Sequence, residues 1–462
     1  VAGLLLFMTG CLLCGLSSSI EELIAFRTLQ GFGGGIIMAS SLTAVGDLFT
    51  PRERGRWQGI IGSAFAISSI AGPALGGYIV EVADWHWVFW VFLPLGLAAL
   101  GLIWWLFPSV PRRRRESIDY AGMAFLTVFV VALLITLSRV GGETPLRSPF
   151  VLAALGIAVL ALVLFLRTET RVPHPMLPLG LFRNPSFVLP NLTILAAQFA
   201  MFGVIMYLPL YVQVVLGLSA SVSGYVTSPL MIAMVCASSV SGQIVTRTGK
   251  YKKQAVLGMA AMCAGMFLLS RLGPDAPVAE VIAFIVISGL GMGTVVPILN
   301  VTVQNAVPDR LLGVATSTMQ LFRQFGGTIG VTVAGSYITA STASGMRALA
   351  ERHGLDPAIA AEWSDPQLLV DRDRLRELAA EAAASPGGDA GTAAAELAAA
   401  LPGALSDAIG GAFAIGFGFG LVSLVLVAGL KEVPLRSYRT RDEEEPPGGV
   451  PGPGRNVPAS GG

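Results

Sequence analysis

Runs of about 20 mostly apolar residues, long enough for a helix to cross a bilayer, recur along almost the whole chain. They fall at 1-19, 22-46, 57-80, 86-107, 118-139, 149-167, 187-213, 221-246, 254-271, 279-306, 311-340 and 406-430. Pro, Gly and Ser inside such runs are tolerated, because neighbouring helices re-satisfy the freed backbone groups. The expected fold class is therefore all-α, a polytopic protein embedded in the lipid bilayer. Composition agrees: 53% of the 462 residues are hydrophobic and 13% are charged, about half the charged share of a soluble domain. A net charge of +1 gives no pull toward nucleic acid, and none is expected as a partner. Four cysteines are too few for a disulfide scaffold. Cys11 and Cys14 form a CxxC inside an apolar run with no second pair, so they read as small core residues rather than a metal or redox site. His86, His174 and His353 fall in loops and form no metal cluster, and no cofactor is expected. The first run starts at Val1 with no basic stretch ahead of it, so no cleavable signal peptide is expected.

Charge in the loops sets the orientation. Alternate loops carry Arg52, Arg54 and Arg56, then Arg112 to Arg115, then Arg171 and Arg183. The series continues with Arg247, Lys250, Lys252 and Lys253, then Arg310, then Lys431, Arg436, Arg439 and Arg441. The loops between them hold Glu21, Glu22, Glu81, Asp84, Glu143, Asp275 and Glu280 against few basic residues. Lys and Arg concentrate on the cytoplasmic side, which sends the first helix outward and leaves the C-terminal tail in the cytoplasm. Trp85, Trp87 and Trp90 cluster at one outer boundary, where interfacial aromatics belong.

Two stretches depart from short loops. Residues 341-404 hold ten acidic and five basic residues and are expected as an extracytoplasmic loop. Within it, 366-384 reads as an amphipathic helix carrying Leu368, Leu369, Leu375 and Leu378, either a solvated cap or a gate or docking element. The Pro-, Gly- and Glu-rich tail over 431-462 is expected to be cytoplasmic and disordered. The chain also repeats itself weakly. A helix end followed by Pro51, Arg54 and Gly55, with a later cluster at Gly72 to Gly77, has its counterpart in Pro308, Arg310 and Gly313, with Gly326 to Gly330. Duplicated halves are how many secondary transporters are built.

Three motifs lie in the first half. "LIAFRTLQGFGGG" (23-35) puts Arg27, Gln30, Gly31 and Gly33 on one helix. An Arg inside an apolar helix is expensive and normally faces a polar cavity, while glycines let another backbone approach. "SSIAGPALGG" (68-77) places Gly72, Pro73, Gly76 and Gly77 in the next helix, a kink with a small-residue face. "WHWVFWVFLPLG" (85-96) follows. In order and spacing these resemble the major facilitator superfamily, and within it the fourteen-helix drug:proton antiporters of the EmrB/QacA type. Arg27, Gln30, Gly31 and Gly33 match the motif on that family's fourth helix. Gly59, Gly72, Pro73, Gly76 and Gly77 match the antiporter motif on its fifth, with Ser68 where Gly is frequent. In the Trp motif His86 stands for Arg and Phe92 for Asn. "GQIVTRTGKYKK" (242-253) resembles the second-half copy of the loop between helices two and three, with Thr246 in place of its Asp. "LFRQFGGTIG" (321-330) also looks like the family's.

The resemblance implies two pseudo-symmetric helical halves. The domains expected are an N-terminal half over 1-117, an inserted helix pair and cytoplasmic linker over 118-184, and a C-terminal half over 185-340. The loop over 341-404, a last helix over 405-430 and the tail complete the chain. The twelve runs then correspond to family helices three to fourteen, and the first two helices are missing. The family's coupling Asp lies on the first helix, and no Asp or Glu here falls in mid-run, so the full-length protein is expected to supply that Asp and the chain as given is not expected to couple to protons. Arg27 and Arg323 are the deep charges, assigned to proton coupling or charge stabilisation; each has a structural alternative, hydrogen bonding to backbone carbonyls. Asp47 and Arg54, with Gly242, Arg247, Gly249, Asp309 and Arg310, are candidates for a cytoplasmic gate or for plain surface salt bridges. Gln198, Phe199, Phe202, Met206, Tyr207, Met231, Met234 and Asn300 are the candidate substrate-cavity residues, an aromatic and Met-rich surface suited to hydrophobic or cationic molecules. A lipid-facing or core stripe is the alternative. The reading is a monomeric exporter in the bacterial inner membrane, passing small organic molecules outward in exchange for protons by alternating access. The alternative is a non-transporting membrane remnant or sensor. The helices hold no buried constellation for catalysis, so no enzyme is expected.

Overall fold

Inside a bilayer no water satisfies an open peptide group, so each apolar run has to close its own backbone hydrogen bonds, as a helix does. The computed structural model describes residues 1–48, 64, 67–68, 71–72, 75–106, 119–140, 148–172, 175, 177, 179–308, 311–352, 388–430 and 432. Among the described residues every regular element is helical. The order is α1 (Ala2–Cys14), α2 (Ile20–Leu48), a helical stretch ending over 75–82, and α3 (Trp87–Leu106). Then come α4 (Tyr120–Val140), α5 (Pro149–Glu169), a 3-10 turn (Leu179–Arg183) and α6 (Pro185–Leu210). The second half continues with α7 (Ala220–Thr248), α8 (Lys252–Leu269), α9 (Val278–Asn305), α10 (Leu312–Arg352) and α11 (Gly388–Ala428). Eight helices among the described residues are long and apolar enough to cross a membrane, and α1 is a shorter apolar one.

Local chemistry sets several ends. Asn184 caps α6 by accepting the Ser186 N–H at 3.0 Å, with Pro185 at the first helical position, where its missing N–H is harmless. The Asp119 carboxylate accepts the Gly122 N–H at 2.8 Å at the start of α4. Beside the internal Pro190 of α6, the Asn191 side chain donates to the Phe187 carbonyl at 2.7 Å. After Pro209 the helix widens into a π turn over Tyr211–Val215, a local repair of the ladder that a proline interrupts.

The helices sort into three groups by contact. α1 packs on α2 and α3; α4 and α5 pair with each other and lean on α10; α6 to α11 interlock. The large continuous core lies wholly in the last group, around Phe187, Met201, Leu230, Met259, Met292 and Phe413. Within it α6 and α10 approach closely: a Cβ added at Gly326 or Gly330 would collide with the backbone of Leu195 or Phe199.

The expected loop over 341-404 is a correction in part. α10 runs on to Arg352 and α11 begins at Gly388, so both ends of that stretch continue the membrane helices. The reason lies in its Ala- and Leu-rich composition, which favours helix whatever the depth. Met346, Leu401 and Leu405 are buried where the two extensions meet. The expectation that acidic residues keep to helix ends changes with it, because Asp407 now lies well inside α11. Its neighbour Ser406 donates to the Leu272 carbonyl beyond the end of α8 at 3.5 Å, so Asp407 sits level with that helix terminus rather than mid-bundle. The candidate helix over 366-384, most of the first repeat copy and the tail beyond Glu432 lie outside the described residues.

Replacing Gly330 by Ala is expected to lower the thermal midpoint of the detergent-solubilised protein, an overpacking cost of about 1–3 kcal/mol. Gly156→Ala, where the added Cβ meets open space, is expected to leave it unchanged or raise it. Differential scanning fluorimetry on the two variants checks the contrast.

Candidate functional site

Arg27 projects from the first third of α2 and is exposed, and the bilayer offers a bare guanidinium no counter-charge. The structure answers with an amide and a ring. Arg27 Nη1 donates to Gln30 Oε1 at 3.2 Å, and its guanidinium carbon stands 4.8 Å from the centroid of the Phe89 ring on α3. The Gln30 Nε2 in turn donates to the Cys11 Sγ of α1 at 3.0 Å. Cys11 and Cys14 are both fully buried, as small core residues. A Cβ at Gly10 would reach within 2.6 Å of the Gln30 Cα, and one at Gly33 would collide with Phe7. The approach of α1 to α2 thus uses Gly33, together with Gly3 and Gly10 of α1, which sequence reasoning missed. Gly31 and Gly35 face open space.

The Trp motif forms the start of α3 and closes this group. His86 Nδ1 lies 3.0 Å from Asp84 Oδ2, and its Nε2 lies 3.2 Å from the Ser17 carbonyl oxygen. Both ring nitrogens face oxygen atoms. The hydrogen bond from His86 holds the Asp84 carboxyl below its ordinary value, so Asp84 keeps its charge in acid where a free aspartate loses it. Trp85 stacks on His86 with centroids 3.7 Å apart.

In the antiporter-like motif, Gly59 and Pro73 lie outside the described residues, and Gly72 and Gly76 meet nothing within 4 Å. Gly77 is the close contact: a Cβ there would lie 2.5 Å from the Ala220 carbonyl oxygen in the first turn of α7. The end of the helical stretch over 75–82 therefore touches the C-terminal group at the α6–α7 turn.

The remaining candidates scatter. Arg323 sits half-buried on α10, on the stripe that carries Met319, Gly330 and Ala334, and not beside Arg27. Phe199 is buried and stacks on Phe419 of α11 at 3.7 Å, so the structure places it in helix packing. Gln198 is buried, and Phe202 lies over Gly327. Met206 points out of the bundle at 58% exposure. Tyr207 donates to the Val331 carbonyl at 3.3 Å and lines a cavity of about 710 Å³. Met231 and Met234 pack at the core margin on α7, the latter against Gly293. The Asn300 amide donates within α9 to the Val296 carbonyl at 3.3 Å. A second cavity of about 390 Å³ is wholly apolar and lined by none of these residues; Phe129, Phe165, Phe322 and Phe325 ring it.

Of the gate residues, Arg54, Asp309 and Arg310 lie outside the described residues, as does the side chain of Asp47 at the end of α2. Gly242 faces open space and Arg247 is exposed. Gly249 ends α7 at φ +65°, donating its N–H to the Val245 carbonyl at 2.9 Å. Glu432, which sequence reasoning did not single out, accepts the Tyr251 N–H at 3.1 Å and ties the segment after α11 to the α7–α8 turn.

Against known proteins, residues 1–331 match the description Major Facilitator Superfamily. The chain is 38% identical over 340 residues to the Multidrug transporter protein MdtP of Bacillus subtilis (strain 168), covering 74% of this chain and 63% of that protein. It is 31% identical over 337 residues to Multidrug resistance protein 3 of the same organism, covering 73% and 66%. Thus the chain spans about two thirds or less of the curated relatives described. A bacterial homologue of the human lysosomal transporter Spinster, solved inward-facing and occupied, superposes with a TM-score of 0.53 at 17% identity, covering 91% of this chain and 81% of that one.

Gly249→Ala is expected to cost about 1–2 kcal/mol, because a side chain is strained in the left-handed region, and Gly249→Asn less. Chemical denaturation in detergent reads both, with Gly242→Ala as the unstrained control.

Proposed function

The chain belongs to the Major Facilitator Superfamily, and we propose that within it the protein is an efflux transporter of the fourteen-helix drug:proton antiporter type. Its cargo is hydrophobic or cationic organic molecules, exchanged for protons by alternating access across a bacterial inner membrane. The protein works as a monomer, with its C-terminal tail on the cytoplasmic side. The observation that carries this reading is the similarity over 74% of the chain to MdtP, a protein named a multidrug transporter; the family match over residues 1–331 includes the helix bearing Arg27.

The geometry supports it in two places. Contact between the N- and C-terminal groups through Gly77 and Ala220 sits at one end of the bundle. Rocking one group against the other would open that end, and alternating access requires such a movement. Arg27 is the second support. Among the described residues no carboxylate lies within ion-pair distance of it; an amide and an aromatic face hold it instead. A cation so placed lowers the cost of an ionised carboxylate brought near it, which suits a residue that stabilises the charged form of a proton carrier. Aromatic faces rather than acidic groups would then hold a cationic cargo.

The test is dye accumulation in cells expressing the full-length gene product, since the chain as given has no carboxylate in the middle of an apolar run to carry the proton. A hydrophobic cationic dye is expected to accumulate less than in cells without it, and a protonophore is expected to abolish the difference. Arg27→Ala is expected to slow efflux about tenfold, equivalent to ~1.4 kcal/mol, with the protein still present in the membrane by immunoblot. Efflux indifferent to the protonophore would overturn proton exchange, and unchanged dye levels would overturn export.

A further inference from the structure

The α4–α5 pair does not close fully on the rest of the bundle. Where α4 ends and α5 begins, a cavity of about 710 Å³ opens between this pair and the α6–α10 face. Leu134, Ile135 and Ile338 supply apolar lining, and Arg139, Ser138 and Thr339 supply polar lining. Ser336 and Tyr207 also line it, but their hydroxyl protons are already given to the carbonyls of Leu137 at 3.2 Å and Val331 at 3.3 Å. Arg139 is therefore the strong donor. Its guanidinium carbon stands 5.5 Å from the Phe150 ring centroid, and among the described residues no carboxylate pairs with it.

Two observations fix the kind of occupant. A planar guanidinium with five N–H donors matches the oxygens of a phosphate. On the lip, Ile135 and Phe150 are 41% and 54% exposed, and they belong to the two helices whose surfaces mostly face away from the bundle. Entry is thus sideways from the bilayer, and the occupant has a tail to lay along the apolar lining and an anionic head to place on Arg139. The loop charges put Arg139 at the outward end of α4, so the head group belongs to the outer leaflet. Its pairing with a guanidinium is the chemistry by which basic pockets between membrane helices hold lipid head groups on the cytoplasmic side.

We propose that this cavity is a binding site for one anionic phospholipid, its phosphate on Arg139 and an acyl chain along Leu134 and Ile135, which fills the seam between the inserted helix pair and α10. The site stands on the family fold alone and does not depend on which molecules the protein exports.

Native mass spectrometry of the full chain in detergent, titrated with phosphatidylglycerol or phosphatidylcholine, tests it. The unmodified protein is expected to retain one phosphatidylglycerol with a preference of about fivefold over phosphatidylcholine, the effect of one basic residue on an anionic head group. Arg139→Gln is expected to remove the preference, and Arg139→Lys to keep part of it. Ile135→Trp, which narrows the lip and leaves the charge, is expected to reduce retention of phosphatidylglycerol. Thermal midpoints measured without added lipid identify any variant that fails to fold. Equal retention of the two lipids, or a preference that survives in Arg139→Gln, would overturn the proposal. Displacement of the lipid by inorganic phosphate would do so too, by marking a free-anion site instead.

Discussion

Helices that already sit in lipid gain little by burying apolar surface against one another, so their association rests on how closely their backbones approach and on the polar bonds they share. In this protein the contact that most depends on that rule is between α6 and α10. Gly326 and Gly330 stand one helical turn apart and admit the backbones of Leu195 and Phe199. From that contact α10 also reaches α4, α9 and α11, with Phe129 edge-on to Phe325 at 6.3 Å and Ser336 bonded to Leu137. The α4–α5 pair is held by the same helix that packs through the second half, so movement of α10 reaches both.

Much of this was legible in the sequence. Each of the eight helices long enough to span falls on an apolar run, and the cap at Asn184 is of a residue type that caps helices. The family likeness rested on motifs whose order was already informative. Helix length beyond the membrane was harder to read, since charge reports where a segment lies and says little about its conformation. The stretch from 388 to 404 is acidic at Asp389 and Glu396 and still helical, because alanine sets the local preference.

The finer site was legible by type and not by partner. A glycine in a run shows that a close approach is possible without naming what approaches. Gly77 has such a neighbour while Gly72 and Gly76, in the same motif, have none; Gly10, outside any motif, abuts the Gln30 backbone. The aromatic stripe of α6 fails in the same way. Phe199 and Tyr207 are both spaced for one broad face, yet one stacks on α11 and the other reaches α10. Which helix covers which part of a face is decided by residues distant in the chain.

The two ends of the protein solve the association problem differently, and this bears on what Arg27 can do. The core of buried Met, Leu and Phe begins at Phe187; α1, α2 and α3 share instead a run of polar contacts. Cys11 meets Gln30, Gln30 meets Arg27, Arg27 lies over Phe89, and His86 joins the end of α1 to Asp84. Arg27 and Gln30 share α2, while the links to Cys11 and Phe89 cross to α1 and α3, so a shift of either neighbouring helix breaks a link. A charge held in such a network is sensitive to small shifts of the helices around it. Arg323, on the buried stripe of a well-packed helix, lacks that lever. A cation whose surroundings rearrange with the helices is the one able to report conformation to a titrating group, and this is why the proposed exchange mechanism assigns that role to Arg27 rather than Arg323.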